Sequence, residues 1–393
     1  MLRQEVSLDG KDVPYLYGVD VTEELVGALA DLAATADLVL LVTDRAVAVH
    51  AEPVARGLAE AVRVALFTVD AGEQRKTLSL VEDIVEFAVR QGASRSTVVV
   101  AMGGGMVGNV AGLAAGLLFR GVRLVHLPTT PIAAFDSVLS VKQAVNLSGG
   151  KNLCGTYHVP SLIACDLRWL TSVPRGLMLT GLAEMAKNVL AVVPDRRHAL
   201  EQALGRLADE PAAALLELLD IGRDAKAPYL RSDPRERREA LVFEYGHTMG
   251  HALEFVSRGG IGHGEAIAWG MLVAAEVSHD LGHLGHDGLA LHRQVVGRLR
   301  LPPAAAGPGG LDRERIRAVL ARDNKRGYLP CAPDEVPMVL LESAGRVVTG
   351  DRGLPLVPVP VDLVMSALGT VVGAAPGPTL VEAGPARERL GAV

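Results

Sequence analysis

Short apolar runs that alternate with helical stretches are the strongest constraint on the fold of this chain. The first three runs, residues 38–43, 64–69 and 97–101, contain no charged residue, and a fourth follows at 123–127. Strands without polar alternation are buried on both faces, which requires a parallel sheet with helices packed against each side. The pattern therefore predicts an α/β fold for the first part of the chain.

The pattern changes after Pro174 to long Ala- and Leu-rich helical stretches, with no β-branched run until residues 336–341. We expect an α/β domain over residues 1–172, a mainly helical domain over 173–350, and a Pro/Gly-rich tail over 351–393. Within this tail, residues 373–393 are expected to be weakly ordered. A cleft between the two domains is the default binding site.

Charge and cysteine content exclude several classes of partner. The chain has 39 basic and 45 acidic residues, so its net charge of -6 gives no attraction to nucleic acid or to an anionic membrane. Three cysteines without close spacing support neither a disulfide framework nor a cysteine zinc site, which favours a reducing cytoplasm. The uncharged run 97–119 contains six glycines, so we expect a strand, a turn and a helix rather than a membrane span.

Residues 103–108 form a G-x-G-x-x-G turn between an apolar strand and a helical pattern. In that context backbone N–H groups face a pyrophosphate, so the turn predicts a Rossmann-like dinucleotide site. The acidic residue usual about 20 positions later is missing. Asp44 could instead accept from the ribose hydroxyls, and Glu73 and Lys76 could meet the nucleotide from the next strand end. The alternative is a tight turn with solvated charges nearby.

Two histidines, His247 and His251, are spaced four residues apart, so a helix would project both from one face. Thr248 stands where zinc-dependent proteases need glutamate, which disfavours proteolysis. His263 and Glu184, an acid in an apolar helical stretch, could complete a site of N and O ligands. Three such ligands leave room for substrate, as a catalytic metal requires.

Two other interpretations of the histidines stay open at this point. A hydrogen-bonded core histidine explains His247 about as well as a metal ligand does. A second cluster, His279, His283 and His286, has helix-compatible spacing but polar and glycine-rich surroundings. We expect that cluster to be a solvated helix end.

Nine motifs occur together in one order: GGGMVGNVAG, FRG, PTTP, DSVLSVKQAVN, GKN, AEMAKN, FEYGHTMGHALE, HGEA and DNKRGY. Over about residues 38–345 the chain resembles the sugar-phosphate cyclase family of 3-dehydroquinate synthase. The resemblance implies an N-terminal NAD-binding α/β domain, a helical metal-binding domain and a homodimer. It also implies a divalent metal, Co2+ or Zn2+, held by Glu184, His247 and His263, with His251 in the substrate pocket.

The remaining site residues follow from the same motifs. The resemblance implies NAD contacts from Asp44, Glu73, Lys76, Gly104, Gly105, Asn109, Thr129, Thr130 and Lys151. It implies substrate contacts from Asp136, Lys142, Asn152, Lys187, Lys226, Glu244, His251 and Lys325. Arg120 matches an arginine that reaches the substrate phosphate across the dimer interface. Asn109 replaces a family aspartate, and an amide can still donate and accept hydrogen bonds.

Two departures from 3-dehydroquinate synthases bear on the substrate. Glu244 stands where those enzymes carry asparagine, and Ala240 replaces an arginine that helps to hold a carboxylated substrate. Losing a cation and gaining an anion disfavours a second negative group, because an unpaired buried charge costs several kcal/mol. The sequence is most similar to the family members that form a carbocycle from D-glucose 6-phosphate in aminoglycoside antibiotic pathways.

The resemblance implies a reaction in which NAD+ removes hydride from C4 of glucose 6-phosphate while the metal holds the C4 oxygen. We expect Glu244 to take the C5 proton, with its pKa raised by partial burial, after which phosphate leaves from C6. NADH then returns the hydride, and ring opening permits an intramolecular aldol closure. Lys142 would bind phosphate and assist proton transfer.

Three alternatives are retained. One is another cyclase, either a 3-dehydroquinate synthase or an enzyme that forms a valiolone-type product from sedoheptulose 7-phosphate. Another is a metal-dependent polyol dehydrogenase, which shares the two-domain plan with NAD and a histidine site. The last is a catalytically silent subunit of a complex.

Overall fold

A seven-stranded sheet organises the first part of the chain. The computed structural model describes residues 1–70, 72–148, 150–301 and 310–374. The strands in this part are β1 (Leu2–Leu8), β2 (Lys11–Gly18), β3 (Val39–Asp44), β4 (Val64–Val69), β5 (Val98–Gly103), β6 (Arg123–Pro128), β7 (Lys142–Leu147), β8 (Gly150–Tyr157) and β9 (Leu162–Asp166). The sheet order is β1-β2-β9-β6-β5-β3-β4, while β7 and β8 form a separate antiparallel hairpin. All neighbours in the sheet pair in parallel except β1 and β2.

Helices cover both faces of the sheet, as the apolar runs require. These helices are α1 (Thr22–Ala33), α2 (Ala48–Leu58), α3 (Leu78–Arg90) and α4 (Gly105–Leu117). Along β3, Leu40 packs in the core beneath α3 and α4, whereas Leu41 packs in the core beneath α1 and α2. The predicted α/β class with a Rossmann-like sheet is therefore confirmed. The uncharged run 97–119 is β5, a glycine turn and α4.

The N-terminal hairpin of β1 and β2 was not predicted from the sequence. Its strands mix polar and apolar residues because β1 is an edge strand, with residues 2, 3 and 5 exposed. The hairpin reverses at Asp9 and Gly10, whose φ angles of 47° and 79° lie in the left-handed region that an Asp-Gly pair tolerates.

The second part of the chain is mainly helical, as expected. Its helices are α5 (Arg175–Ala191), α6 (Arg197–Arg206), α7 (Pro211–Ser232), α8 (His247–Ser257), α9 (His263–Asp280), α10 (His286–Arg298), α11 (Arg313–Leu320) and α12 (Val361–Ala374). Short strands β10 (Glu335–Met338), β11 (Leu341–Ser343), β12 (Arg346–Val347) and β13 (Val357–Pro360) complete it. In the described ranges no helix is both long and apolar enough to cross a bilayer.

The structure shows ordered elements in the first part of the Pro/Gly-rich C-terminal tail, whose order the sequence leaves open. Within residues 351–374, β13 pairs with β10 and α12 packs against α9. The cause is an apolar face on α12, whose Val364 and Leu368 enter the core of the helical part. Residues 375–393 lie outside the described part of the chain.

One hydrophobic core joins the two parts of the chain. Tyr15 of β2 and Ile163 of β9 belong to the same buried cluster as Met185 of α5 and Ala274 of α9. The sheet strands end by Asp166, and α5 begins at Arg175. A domain boundary at 172/173 falls between these elements and stays a prediction.

Candidate active site

The glycine turn lies at the carboxyl edge of the sheet, where β5 ends and α4 begins. Gly104 caps α4 without a side-chain hydrogen bond, so the N-terminus of α4 is bare backbone. A Cβ on Gly104 would lie 3.1 Å from Thr130 Cγ2, which shows how closely the end of β6 approaches the turn. The buried Thr129 hydroxyl has no hydrogen-bond partner among the described residues. An uncapped helix N-terminus beside an unsatisfied hydroxyl fits a dinucleotide phosphate.

A cleft lies against this turn, and Asn109 and Lys142 are part of its lining. The amide of Asn109 donates to the Gly105 carbonyl at 2.8 Å and accepts from the Ala144 N–H at 3.0 Å. An aspartate could make only the second of these bonds, since a carboxylate cannot donate. Asn109 therefore joins α4 to β7, and its direct contact with NAD stays a prediction.

Asp44 ends β3 at the same edge of the sheet. Its carboxylate accepts from the N–H groups of Ala46 and Val47, at 2.8 and 3.2 Å, and so caps the turn that follows. Burial raises the pKa of Asp44, and these two N–H groups oppose the rise. The position fits an acceptor for ribose hydroxyls, as the sequence analysis expects.

Lys76 is a predicted NAD contact and Asn152 is a predicted substrate contact, and the structure brings the two side chains together. Lys76 Nζ lies 2.5 Å from Asn152 Oδ1, and burial lowers the pKa of Lys76. Asn146, which the sequence analysis did not single out, accepts from the Asn152 N–H and donates to Glu73 Oε1. The predicted NAD residues Glu73 and Lys76 therefore adjoin the predicted substrate residue Asn152.

Glu184, His247 and His263 converge into one cluster in the helical part. Their ligand atoms all lie within 4.8 Å of one another, and each histidine Nε2 lies 3.4 Å from Glu184 Oε1. His247 Nδ1 lies 3.2 Å from the Tyr245 carbonyl, which can only accept, so Nδ1 carries the proton. Nε2, which faces Glu184, is then the nitrogen left for a metal. Two imidazole nitrogens and a carboxylate oxygen suit Zn2+ or Co2+ and leave a position open for substrate.

Close helix packing explains why these three residues meet. His263 begins α9, and a Cβ on the next residue, Gly264, would lie 2.5 Å from the Thr180 backbone. Thr180 is one turn before Glu184 in α5, so this close crossing carries His263 to Glu184. His247 begins α8 directly after Gly246, whose φ of 78° and contact with Met271 exclude a side chain.

His251 lies beside the cluster but outside its three ligands. Its ring centroid is 5.0 Å from that of His247 and 6.0 Å from that of His263. Burial and the neighbouring His247 lower the pKa of His251 to about 3, so its ring is neutral. This placement fits the substrate-pocket role that the resemblance implies. The second histidine group lies at the end of α9 and the start of α10, with His283 and His286 exposed.

Charged neighbours set the ionisation of the cluster. Burial raises the pKa of Glu184, but the buried ammonium of Lys187, which forms an ion pair with it, holds that pKa well below its usual range. His263 Nδ1 lies 3.0 Å from Glu254 Oε2, and Glu254 Oε1 lies 2.5 Å from Lys151 Nζ. Sequence reasoning missed Glu254, although it stands at the end of the GHTMGHALE motif.

The lysines expected to bind substrate are each paired with a carboxylate. Lys226 Nζ lies 2.8 Å from Asp136 and 3.8 Å from Glu236, and these acids raise its pKa although burial opposes them. Lys142 Nζ lies 2.7 Å from the other oxygen of Glu236. Glu236 was not predicted. Its only sequence signal is an acid with an arginine on each side, in SDPRERRE.

Glu244 lies beside Lys325, and this contact corrects one expectation. Lys325 Nζ is 3.7 Å from Glu244 Oε2 and 2.9 Å from Asp323 Oδ2. Burial alone raises the pKa of Glu244, as expected, but Lys325 and the nearby His247 outweigh burial and lower it. Glu244 is therefore ionised at neutral pH.

The structure does not bring Arg120 to the other predicted substrate residues. Arg120 follows α4 with a φ of 67° and is exposed. Within the described part of the chain, its side chain has no ion pair. The expected contact across a dimer interface stays a prediction.

Comparison with known proteins places this geometry in context. Family models described as 3-dehydroquinate synthase N-terminal and 3-dehydroquinate synthase C-terminal match residues 66–179 and 181–326. A 2-deoxy-scyllo-inosose synthase from Streptomyces paromomycinus is 43% identical over 97% of this chain and 97% of its own length.

Two solved structures extend the comparison. A crystal structure of 2-deoxy-scyllo-inosose synthase complexed with carbaglucose-6-phosphate, NAD+ and Co2+ has a TM-score of 0.86 and 34% identity, covering 93% of this chain and 99% of that one. A 2-epi-5-epi-valiolone synthase from Streptomyces hygroscopicus, with NAD+ and Zn2+ bound, has a TM-score of 0.77 and 26% identity, covering 95% and 99%.

Proposed function

The chain belongs to the 3-dehydroquinate synthase family, and from this premise we propose that it converts D-glucose 6-phosphate to 2-deoxy-scyllo-inosose and inorganic phosphate. One observation carries the proposal. The carboxylate of Glu244 lies beside Lys325 and near His247 of the ligand cluster, where the chain departs from 3-dehydroquinate synthases. The product serves aminoglycoside antibiotic biosynthesis, as in the relatives that the chain resembles.

NAD and a divalent metal, Co2+ or Zn2+, fit two neighbouring parts of the site. The bare N-terminus of α4 and the unsatisfied Thr129 hydroxyl suit NAD, while Glu184, His247 and His263 would hold the metal. When bound, NAD supplies reversible hydride transfer at C4 of the sugar, and the metal polarises the C4 oxygen so that the C5 proton becomes acidic. The solved relative that binds carbaglucose-6-phosphate, NAD+ and Co2+ supports this assignment.

Glu244 is the residue that we assign to proton transfer at C5. It is ionised at neutral pH because of Lys325, so it accepts the C5 proton without first losing one of its own. As that proton leaves, the C5–H electron pair forms a C5–C6 double bond, and the C6–O bond breaks with its electron pair departing on the phosphate. Once hydride has returned to C4 and the ring has opened, the site would hold C6 near the C1 aldehyde for aldol closure.

Lys142 is assigned to the departing phosphate. Its ammonium is half exposed at the cleft and its partner Glu236 is shared with Lys226, so a phosphate can replace Glu236 as the nearest anion. A phosphate bears more charge than a carboxylate, which favours this exchange. The remaining substrate contacts are assigned to Asp136, Asn152, Lys187, Lys226, His251 and Lys325.

The test is product identification. Purified protein with NAD+ and Co2+ is incubated with glucose 6-phosphate, released phosphate is assayed, NADH is followed by absorbance, and the product ring is read by NMR. We expect stoichiometric phosphate and a six-carbon carbocycle with no net NADH. Steady NADH formation from glycerol would instead select a polyol dehydrogenase. Turnover restricted to sedoheptulose 7-phosphate would select a valiolone-type cyclase.

We also propose a cytoplasmic homodimer. All three cysteines are free thiols, which suits a reducing compartment. Arg120 is exposed and would need a second subunit to reach substrate. Sedimentation of the purified protein at twice the mass of one chain supports the dimer, and a monomer with full turnover contradicts it.

A further inference from the structure

Glu254 lies between a metal-ligand histidine and a lysine on the cofactor side. Its Oε2 is 3.0 Å from His263 Nδ1, and its Oε1 is 2.5 Å from Lys151 Nζ on β8. The carboxylate is mostly buried, with its side chain 19% exposed. Glu254 is also seven residues after His247 in α8, so two helical turns place both side chains on one face.

This contact determines which nitrogen of His263 is free. Glu254 Oε2 faces the ring nitrogen Nδ1 of His263 and Glu254 Oε1 faces the Lys151 ammonium, so both carboxylate oxygens lie against donors and act as acceptors. His263 must therefore donate its Nδ1–H to Glu254. Nε2, which lies 3.4 Å from Glu184 Oε1, is then the nitrogen left for a metal held there. Without this acceptor the imidazole is free to turn or to carry its proton on Nε2.

We propose that Glu254 is a positioning residue, which holds His263 in the tautomer and orientation that bind a divalent metal. This inference rests on the proposed function, because it concerns the metal site assigned above. Lys151 contacts the second carboxylate oxygen, which favours the orientation that keeps Glu254 towards the histidine. Carboxylates behind metal-binding histidines typically contribute 10–100-fold to metal affinity.

The competing explanation is a structural tie, meaning a contact that stabilises the fold without orienting His263. The contact with Lys151 joins the β7–β8 hairpin to α8, and such a tie would contribute to stability alone. Metal affinity separates the two explanations, because a tie that does not orient His263 leaves that affinity unchanged in folded protein.

The experiment measures Co2+ affinity in metal-free, full-length protein. Wild type, Glu254→Gln and Glu254→Ala are titrated with Co2+ by calorimetry and by the visible absorption of bound Co2+. We expect the Kd for Co2+ to rise by about 10–100-fold in Glu254→Ala. Glu254→Gln should lose less, because the amide oxygen still accepts from His263 Nδ1–H. The Co2+ spectrum should shift in both variants, as the ligand geometry loosens.

Glu265→Gln is the matched control. Glu265 lies two residues after His263 in the first turn of α9, and it has no ion pair to His263 or Lys151 in the described part of the chain. Removing its charge should leave Co2+ affinity unchanged. An equal loss in this control would mean that bulk charge, not orientation, sets the affinity, and would overturn the proposal.

The outcomes separate this inference from the proposed function. Wild-type protein that takes up no Co2+ refutes the metal site itself. Wild type that binds Co2+ while Glu254→Ala binds it equally tightly overturns the positioning role and leaves the proposed function standing. Should Glu254→Ala fail to fold, Glu254→Gln decides: lower thermal stability with unchanged Co2+ affinity and spectrum overturns the proposal in favour of a structural tie.

Discussion

Replacing Glu244 with glutamine separates the proposed proton transfer from folding and ligand binding. The amide keeps the size of the side chain but cannot take a proton from C5. Positioned general bases contribute about 10²–10⁴-fold to a rate, so kcat for phosphate release should fall by that factor. The factor corresponds to about 3–5 kcal/mol in the activation free energy.

The structure indicates that this loss will not come from unfolding. Lys325 keeps its closer partner, Asp323 at 2.9 Å, when the Glu244 contact at 3.7 Å is removed. The buried ammonium is therefore not left unpaired, and we expect the free energy of unfolding to change by about 1 kcal/mol or less.

The assay follows phosphate release from glucose 6-phosphate, with Co2+ and NAD+ binding measured by calorimetry in parallel. Binding of both should be retained, since Glu244 belongs neither to the glycine turn nor to the three ligands Glu184, His247 and His263. Phosphate release by Glu244→Gln at the wild-type rate would refute the assignment of Glu244 as the base. Loss of Co2+ binding would place Glu244 in the metal site instead.

Three further predictions concern the cofactor turn and the buried charges. Gly104→Ala adds a Cβ that lies 3.1 Å from Thr130 Cγ2. Calorimetry should then show NAD binding weakened by about tenfold, which corresponds to about 1.4 kcal/mol. Unchanged affinity would exclude this turn as the NAD site. Lys226→Met removes the cation that Asp136 and Glu236 share. The free energy of unfolding in urea should fall by about 3–5 kcal/mol. An unchanged midpoint of urea unfolding would contradict the pairing. Burial lowers the pKa of His126 from 6.5 to about 4. As the pH drops between these values, the unfolded state binds a proton at this histidine before the folded state does. The free energy of unfolding should therefore fall by up to about 3 kcal/mol. His126→Asn should show a correspondingly smaller loss of stability between neutral pH and about pH 4, and an identical loss would contradict that reasoning.

The strands and the glycine turn could be predicted from the sequence, because each leaves a pattern in neighbouring residues. The apolar runs predicted at 38–43 and 64–69 are β3 (Val39–Asp44) and β4 (Val64–Val69), because a strand buried on both faces leaves a continuous apolar signature. The glycine turn also lies where expected, after β5. Glu184 was singled out because a buried acid in an apolar helix is unusual, and the structure brings it to His247 and His263.

Features that depend on distant partners could not be predicted in the same way. Glu254 and Glu236 are surface-like acids in the sequence, and only the fold places them against His263 and Lys142. Partial burial alone implied a raised pKa for Glu244, but the opposing cation, Lys325, is 81 residues away in the chain and reverses the direction. The order of the tail containing α12 could not be predicted, because its prolines and glycines obscure one apolar helical face.

The balance of charge at the site argues for a substrate with a single anionic group. Lys187 is paired with Glu184, Lys226 with Asp136, and Lys325 with Asp323, and all three ammonium groups are buried with these partners. Among the described residues that line the cleft, Lys142 is the cation with substantial exposure, so it is free to exchange its carboxylate for a phosphate. A substrate carboxylate would need a further cation, and the buried Ala240 offers none. Because Glu244 is ionised nearby, a second anion would also face repulsion, which favours a neutral sugar chain ending in one phosphate.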